Sequence, residues 1–256
     1  MSEENRLSRS QATYEKLLRP RDTAARDDDP EFGEVLRRLI FGEIFHTGDL
    51  DEQMRELITV VVLTTMQMLP QLAAHSNAAL NVGISPIELR EAVYQCAPFI
   101  GFPGTLNAIT TMNETFRTRG IDLPLPGQNT VDDAERYAAG KAIQQPIYGD
   151  EIQESLASLP AGLGDTIARY LTEFCFGDFY TRTGLDLARR ELLVLCVLAA
   201  LGSNEAQLRA HALGNTKVGN DLTRQLTALI HCLPYIGFPR TLNAIRVVNE
   251  AQRKPC

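Results

Sequence analysis

Residues 96–109 read CAPFIGFPGTLNAI, and residues 232–245 read CLPYIGFPRTLNAI. One stretch written twice, 136 positions apart, decides the architecture, because a repeated segment implies a repeated structural unit. The same offset pairs His75 with His211, Gly83 with Gly219 and Glu114 with Glu250. Upstream, FGEIFHTGDLDEQMRELI (41–58) is matched by FGDFYTRTGLDLARRELL (176–193) at an offset of 135. One residue is therefore gained between the Arg-Glu-Leu element and the histidine. The expected organisation is two tandem modules, residues 1–120 and 121–256, each of ordinary domain size. The boundary is placed in GIDLPLPGQNTVDDAE (120–135), whose prolines and glycines cannot continue a helix.

Within each copy apolar residues recur at helical spacing, and strand-like alternation is scarce, so the fold class is all-α. In copy one the spacing predicts helices over 8–18, 31–46, 51–68, 71–82, 86–98 and 103–118. Asp49 or Asp51 suits the N-cap of the third, where a side-chain oxygen accepts from free backbone N–H groups. Pro70 fits the first turn of the fourth, and Ser85-Pro86-Ile87-Glu88 has the form of a capping box. Gly83 and Gly219 follow helical runs and suit a left-handed cap. The acidic run Arg26-Asp27-Asp28-Asp29-Pro30 reads as a solvated loop. Segments 57–69 and 192–201 are apolar nearly all round, which calls for burial on every side, most simply against the other copy.

The chain has 256 residues, 44% hydrophobic and 22% charged, with a formal charge of −7. That balance argues against a nucleic-acid or anionic-membrane surface. No apolar run approaches the ~20 residues that span a bilayer. The polar start MSEENRLSRSQATYEKLL is unlike a signal peptide. Five cysteines without a CxxC pair fit a reducing compartment, where Cys serves as a small buried hydrophobe. A cytoplasmic protein is the expectation.

The ordered series FGEIF, GDLDEQMRELITVVVL, AAHSNAALNVG and EAVYQCAPFIGFPGTLNAI, repeated in copy two, resembles the carboxymuconolactone decarboxylase family. The likeness covers roughly residues 31–116 and 165–251. It implies helical modules that assemble into trimers or hexamers, here a trimer of two-module chains. Members include decarboxylases of aromatic-catabolism lactones and alkylhydroperoxidase-D-like proteins. The peroxidase branch needs a Cys-x-x-Cys pair upstream of the histidine. Met68 and Gln71, and Asn204 and Gln207, stand at those positions, so there is no thiolate to attack a peroxide.

The implied activity is a cofactor-independent decarboxylation of a small anionic substrate, a carboxylated lactone or keto acid. No cofactor is required, because the substrate takes up its own electrons. Four histidines, His46, His75, His211 and His231, are too dispersed for HxxxH or HExxH, so no metal site is expected. His75 and His211 occupy the family's histidine position and are candidate proton donors, since imidazole titrates near neutrality. The alternative is a histidine that only bonds across helices. Glu56 and Glu191 are candidates to orient those imidazoles. Arg55 and Arg190 could bind a substrate carboxylate in a bidentate pair, or could satisfy carboxylates within the protein. Phe99 and Tyr235 are expected on the pocket wall. Arg240, opposite Gly104 in the other copy, adds a cation that leans substrate binding towards copy two. Glu43, Asp178, Asn107 and Asn243 are weaker polar candidates. Other readings stay open: an isomerase or hydrolase of a biosynthetic pathway, or a non-catalytic helical oligomer.

Overall fold

A computed structural model of the chain describes residues 3–18 and 29–253. The helices are α1 (Glu3–Leu17), α2 (Pro30–Ile40), α3 (Glu52–Met66), α4 (Leu69–Asn81), α5 (Pro86–Tyr94) and α6 (Ala97–Thr118), then α7 (Arg136–Tyr148), α8 (Glu151–Leu156), α9 (Leu163–Tyr170), α10 (Leu187–Leu201), α11 (Glu205–Lys217) and α12 (Leu222–Gln252). Among the described residues there is no strand, and none of the helices is long and apolar enough to cross a membrane. The acidic run at 26–30 lies outside the described residues up to Asp28; Asp29 precedes α2.

The caps form as the sequence predicts. Asp51 accepts from the Met54 amide, and Ser85 and Glu88 close a reciprocal capping box on α5. Boundaries shift where local chemistry intervenes. The helix expected over 31–46 stops at Ile40, and a turn and a 3-10 segment (Ile44–His46) take over. Helix α3 ends at Gln67, which adopts a left-handed conformation with φ 56°. The helices expected over 86–98 and 103–118 meet differently: α6 starts at Ala97 and runs through a kink at Gly101, φ 77° and ψ 168°. The kink recurs inside α12 at Gly237, φ 76° and ψ 167°. A side chain rarely tolerates that backbone, so the glycine is required, and the following Pro103 or Pro239 restarts the helix.

The centre of the molecule is shared. Helices α3 and α10 pack on each other, and residues Arg55–Thr64 and Arg190–Ala200 are buried throughout. The ends of the two expected apolar segments, Gln67 and Met68 in one and Leu201 in the other, reach solvent. One continuous core runs from Leu50 to Val248 and takes side chains from both repeats. Cys96, Cys196 and Cys232 lie in it, fully buried.

The repeats differ at their entrances. In the second, α9 continues directly into a ten-residue π-helix, Leu171–Tyr180. Helix α7 lies against this segment at a backbone contact. A Cβ on Gly140 would sit 2.4 Å from the Thr172 carbonyl oxygen, and one on Gly177 would sit 2.4 Å from that of Arg136. In the first repeat Gly42 gives α1 the same close approach, 2.9 Å from the Arg6 carbonyl oxygen. Helices α1 and α7 therefore occupy equivalent places. The Asn81 side chain donates to the Leu17 carbonyl and the equivalent Lys217 donates to that of Ile147, so Leu18 and Tyr148 correspond.

Candidate active site

Two histidine–glutamate pairs form, one per repeat. His75, on α4, places Nδ1 2.9 Å from Glu56 Oε2 on α3. His211, on α11, places Nδ1 3.0 Å from Glu191 Oε2 on α10. Each helix pair brings together residues about 20 positions apart, and both glutamates are fully buried.

Each pair is covered by an aromatic ring from the other repeat. Tyr235 of α12 meets His75 edge-on at 5.7 Å, and Phe99 of α6 meets His211 edge-on at 5.8 Å. The proline-flanked glycine kink that follows each ring bends its helix at this point. The two sites are thus built reciprocally across the repeat interface.

Their polar surroundings are unequal. Tyr148, the last residue of α7, donates to Glu191 Oε2 at 2.6 Å, with its oxygen also 2.7 Å from His211 Nδ1. Tyr180, the last residue of the π-helix, donates to Glu191 Oε1 at 2.6 Å. The Tyr148 hydroxyl proton is committed to the carboxylate, so His211 Nδ1 faces only acceptors. That fixes the proton on Nδ1 and leaves Nε2 as the nitrogen available for chemistry. Burial pushes the Glu191 carboxyl up, but the His211 charge and the hydrogen bonds from His211, Tyr148 and Tyr180 outweigh it and hold the group below the usual carboxylate range. Burial and then the Glu191 charge push both tyrosines well above the usual phenol range, so both remain hydroxyl donors.

In the first repeat the tyrosines are replaced by Leu18 and Phe45. Glu56 Oε1 is buried without a hydrogen-bond partner among the described residues. A second imidazole sits nearby instead. His231 Nε2 is 3.1 Å from Thr59 Oγ1, and its ring lies against Phe45 and Tyr235. Burial, followed by the Arg55 charge, lowers the His231 pKa to about 3, so this ring is neutral.

The arginines serve the fold. Arg55 donates to the carbonyls of Leu50, Ile44 and Thr47, pinning the loop ahead of α3. Arg190 donates to Gln95 Oε1 and to the carbonyls of Arg182 and Thr183. Glu91 of the first repeat lies 3.4 Å from Arg190 and forms a bidentate pair with Arg182 at 2.8 and 3.0 Å. Neither Arg55 nor Arg190 presents a free fork to a substrate, which corrects the expectation that they bind its carboxylate. Arg240 is exposed beside Gly202 and donates to Met66 Sδ, in a cavity with Ser203, Asn204 and Asn243 that does not include His211. Glu43 pairs with Arg6, Asp178 lies 3.5 Å from Arg136, and Asn107 donates to Gln67, so these weaker candidates serve helix contacts. A different cavity, about 290 Å³, is bounded by Tyr148, Ala210, Leu213 and Lys217, next to the His211 network. Among the described residues no group of three or more His, Cys, Asp or Glu is placed to hold a metal ion.

The sequence profile of the carboxymuconolactone decarboxylase family matches this chain twice, over residues 30–114 and 165–250. The chain belongs to the carboxymuconolactone decarboxylase family. Among curated relatives, the 4-carboxymuconolactone decarboxylase of Acinetobacter baylyi is 29% identical over 123 residues, 47% of this chain and 89% of that protein. The nitrosuccinic acid decarboxylase of Metarhizium robertsii is 27% identical over 82 residues, 32% of this chain and 57% of that protein. Each matched segment holds one of the two histidine–glutamate pairs, and the second pair is further bonded by Tyr148 and Tyr180.

Tyr148 and Tyr180 are the site residues that sequence reasoning missed. Tyr180 was signalled by FGDFY against FGEIF, where a phenylalanine gains a hydroxyl. Tyr148 gave no such signal, because α7 lies outside the segments whose repetition is visible.

Proposed function

We propose that the protein is a cofactor-independent decarboxylase acting on a small carboxylated lactone or keto acid, with histidine as proton donor. The observation that carries this reading is a histidine held by a fully buried glutamate, present in both repeats and closed by an aromatic ring from the opposite one. The decarboxylase names of the two relatives support the same class of reaction.

In the proposed reaction the bond from carbon to the departing carboxylate breaks, and its electron pair moves into the conjugated carbonyl of the substrate. Carbon dioxide leaves. Imidazolium Nε2 then gives its proton to the carbon, and the histidine regains one from solvent. Glu56 and Glu191 hold their imidazoles by Nδ1 and balance the positive charge that exists before transfer. A proton donor of this kind contributes about 10²–10⁴-fold to rate. Phe99 and Tyr235 supply apolar walls that favour expulsion of a charged carboxylate as neutral gas.

The test is incubation with 4-carboxymuconolactone while carbon dioxide release is followed, with His75→Ala and His211→Ala alongside. Turnover that collapses by about 10²-fold or more in one of the variants supports the reading and identifies the donor. A folded protein without turnover on this lactone, other carboxylated lactones or keto acids would remove it.

A further inference from the structure

The two His–Glu pairs have the same backbone setting and different polar shells, and this difference assigns them different work. We propose that Tyr148 and Tyr180 are positioning residues that clamp Glu191 as a fixed anion and reserve proton delivery for His211, in the second repeat. The proposal rests on the decarboxylase reading for its chemical outcome, and on geometry for the clamp itself.

Three observations carry it. First, both Glu191 oxygens are occupied by short hydroxyl bonds, at 2.6 Å each, in addition to the imidazole. A buried carboxylate filled in this way has no need to take a proton, so the shared proton stays on His211 Nδ1. At Glu56 the hydroxyls are absent, since Phe45 and Leu18 stand in for the tyrosines and Oε1 is unpartnered among the described residues. The position of the shared proton is less firmly set there. Second, the groups facing His211 come from four elements: Glu191 from α10, Tyr148 from α7, Tyr180 by way of Glu191 from the π-helix, and Phe99 from α6. Tyr148 and Phe99 both meet the ring edge-on, at 5.2 and 5.8 Å between centroids, while Nδ1 is taken up by Glu191 and Tyr148. Third, Tyr148 also borders a cavity of about 290 Å³ lined by Lys217, where the first repeat has Asn81. The Lys217 ammonium donates to the Ile147 carbonyl at this cavity, and the His211 side chain is more open than His75, 14% against 9% exposed.

The experiment pairs imidazole nitrogen NMR with turnover, using full-length wild type, Tyr148→Phe, Tyr180→Phe and Phe45→Tyr. In the wild type His211 should show a protonated Nδ1 throughout its neutral form. Tyr148→Phe and Tyr180→Phe should shift the His211 nitrogen signals and leave those of His75 in place. Each should lower kcat roughly ten- to a hundredfold with little change in KM, the loss expected for one hydrogen bond to a charged group that matters after binding. Phe45→Tyr should move the His75 signals towards those of His211. Unchanged His211 signals and unchanged kcat in both tyrosine variants would overturn the proposal. So would equal sensitivity of His75 to the same two changes. If wild type turns over no carboxylated substrate, the decarboxylase reading fails, and the nitrogen signals still decide whether the clamp exists.

Discussion

A carboxylate removed from water must take its hydrogen bonds from the protein, and Glu191 takes them from two tyrosines and a histidine. At the same scale His231 is a buried imidazole held neutral, and its consequence is measurable. Its pKa is about 3 in the folded chain and near 6.5 when unfolded, so the unfolded state binds the extra proton between those values. Stability is therefore complete above the upper value and is lost as pH falls through the window. Glu191 acts in the same direction at lower pH, because its folded pKa is depressed below the ordinary carboxylate value. Urea unfolding should show wild type losing about 2 kcal/mol between pH 7 and 5. His231→Gln, which installs the side chain its counterpart Gln95 already carries, should flatten that slope. An equal slope in the variant would assign the loss to other groups. The paired histidines and glutamates were legible in the sequence because each recurs at a fixed offset. The role of the arginines was not, since an Arg-Glu step looks the same whether the guanidinium faces a ligand or its own loop carbonyls.

At the scale of elements, the placement of Tyr148 depends on how closely α7 approaches the π-helix. That approach is set by two glycines whose missing side chains let backbone meet backbone, at Gly140 and Gly177. Gly177→Ala should force the two elements apart, costing roughly 1–3 kcal/mol through overpacking and lowering Tm by about 2–4 °C per kcal/mol. Thermal melting checks the first part, and loss of the Tyr148 bond, read from the His211 nitrogen signals, checks the second. An unaltered melting temperature would show that the contact can relax. Helix existence and capping were readable here because Asp51, Ser85 and Glu88 act within one turn. The wide π turn was not, because it is fixed by packing of α7, and α7 corresponds to α1 at an offset that no visible motif reports.

For the whole molecule, a single core contributed by both repeats explains why segments 57–69 and 192–201 are apolar on nearly every side. The surface retains apolar residues at equivalent places: Phe102 and Leu106 in one repeat, Phe238 and Leu242 in the other, each close to 60% exposed. We propose that these faces carry self-association into a trimer of chains. Light scattering should then give about three times the 28.4 kDa chain mass, and Phe238→Ser should reduce it. A monomer at micromolar concentration would refute this. Tandem duplication was legible from the sequence, whereas the exchange of aromatic rings across the interface was not, because no offset says which repeat a side chain faces. That exchange has a consequence for dissection of the chain. Phe99 and Tyr235 each cover the histidine of the opposite repeat, so either half cut out alone would leave its His–Glu pair without its aromatic wall.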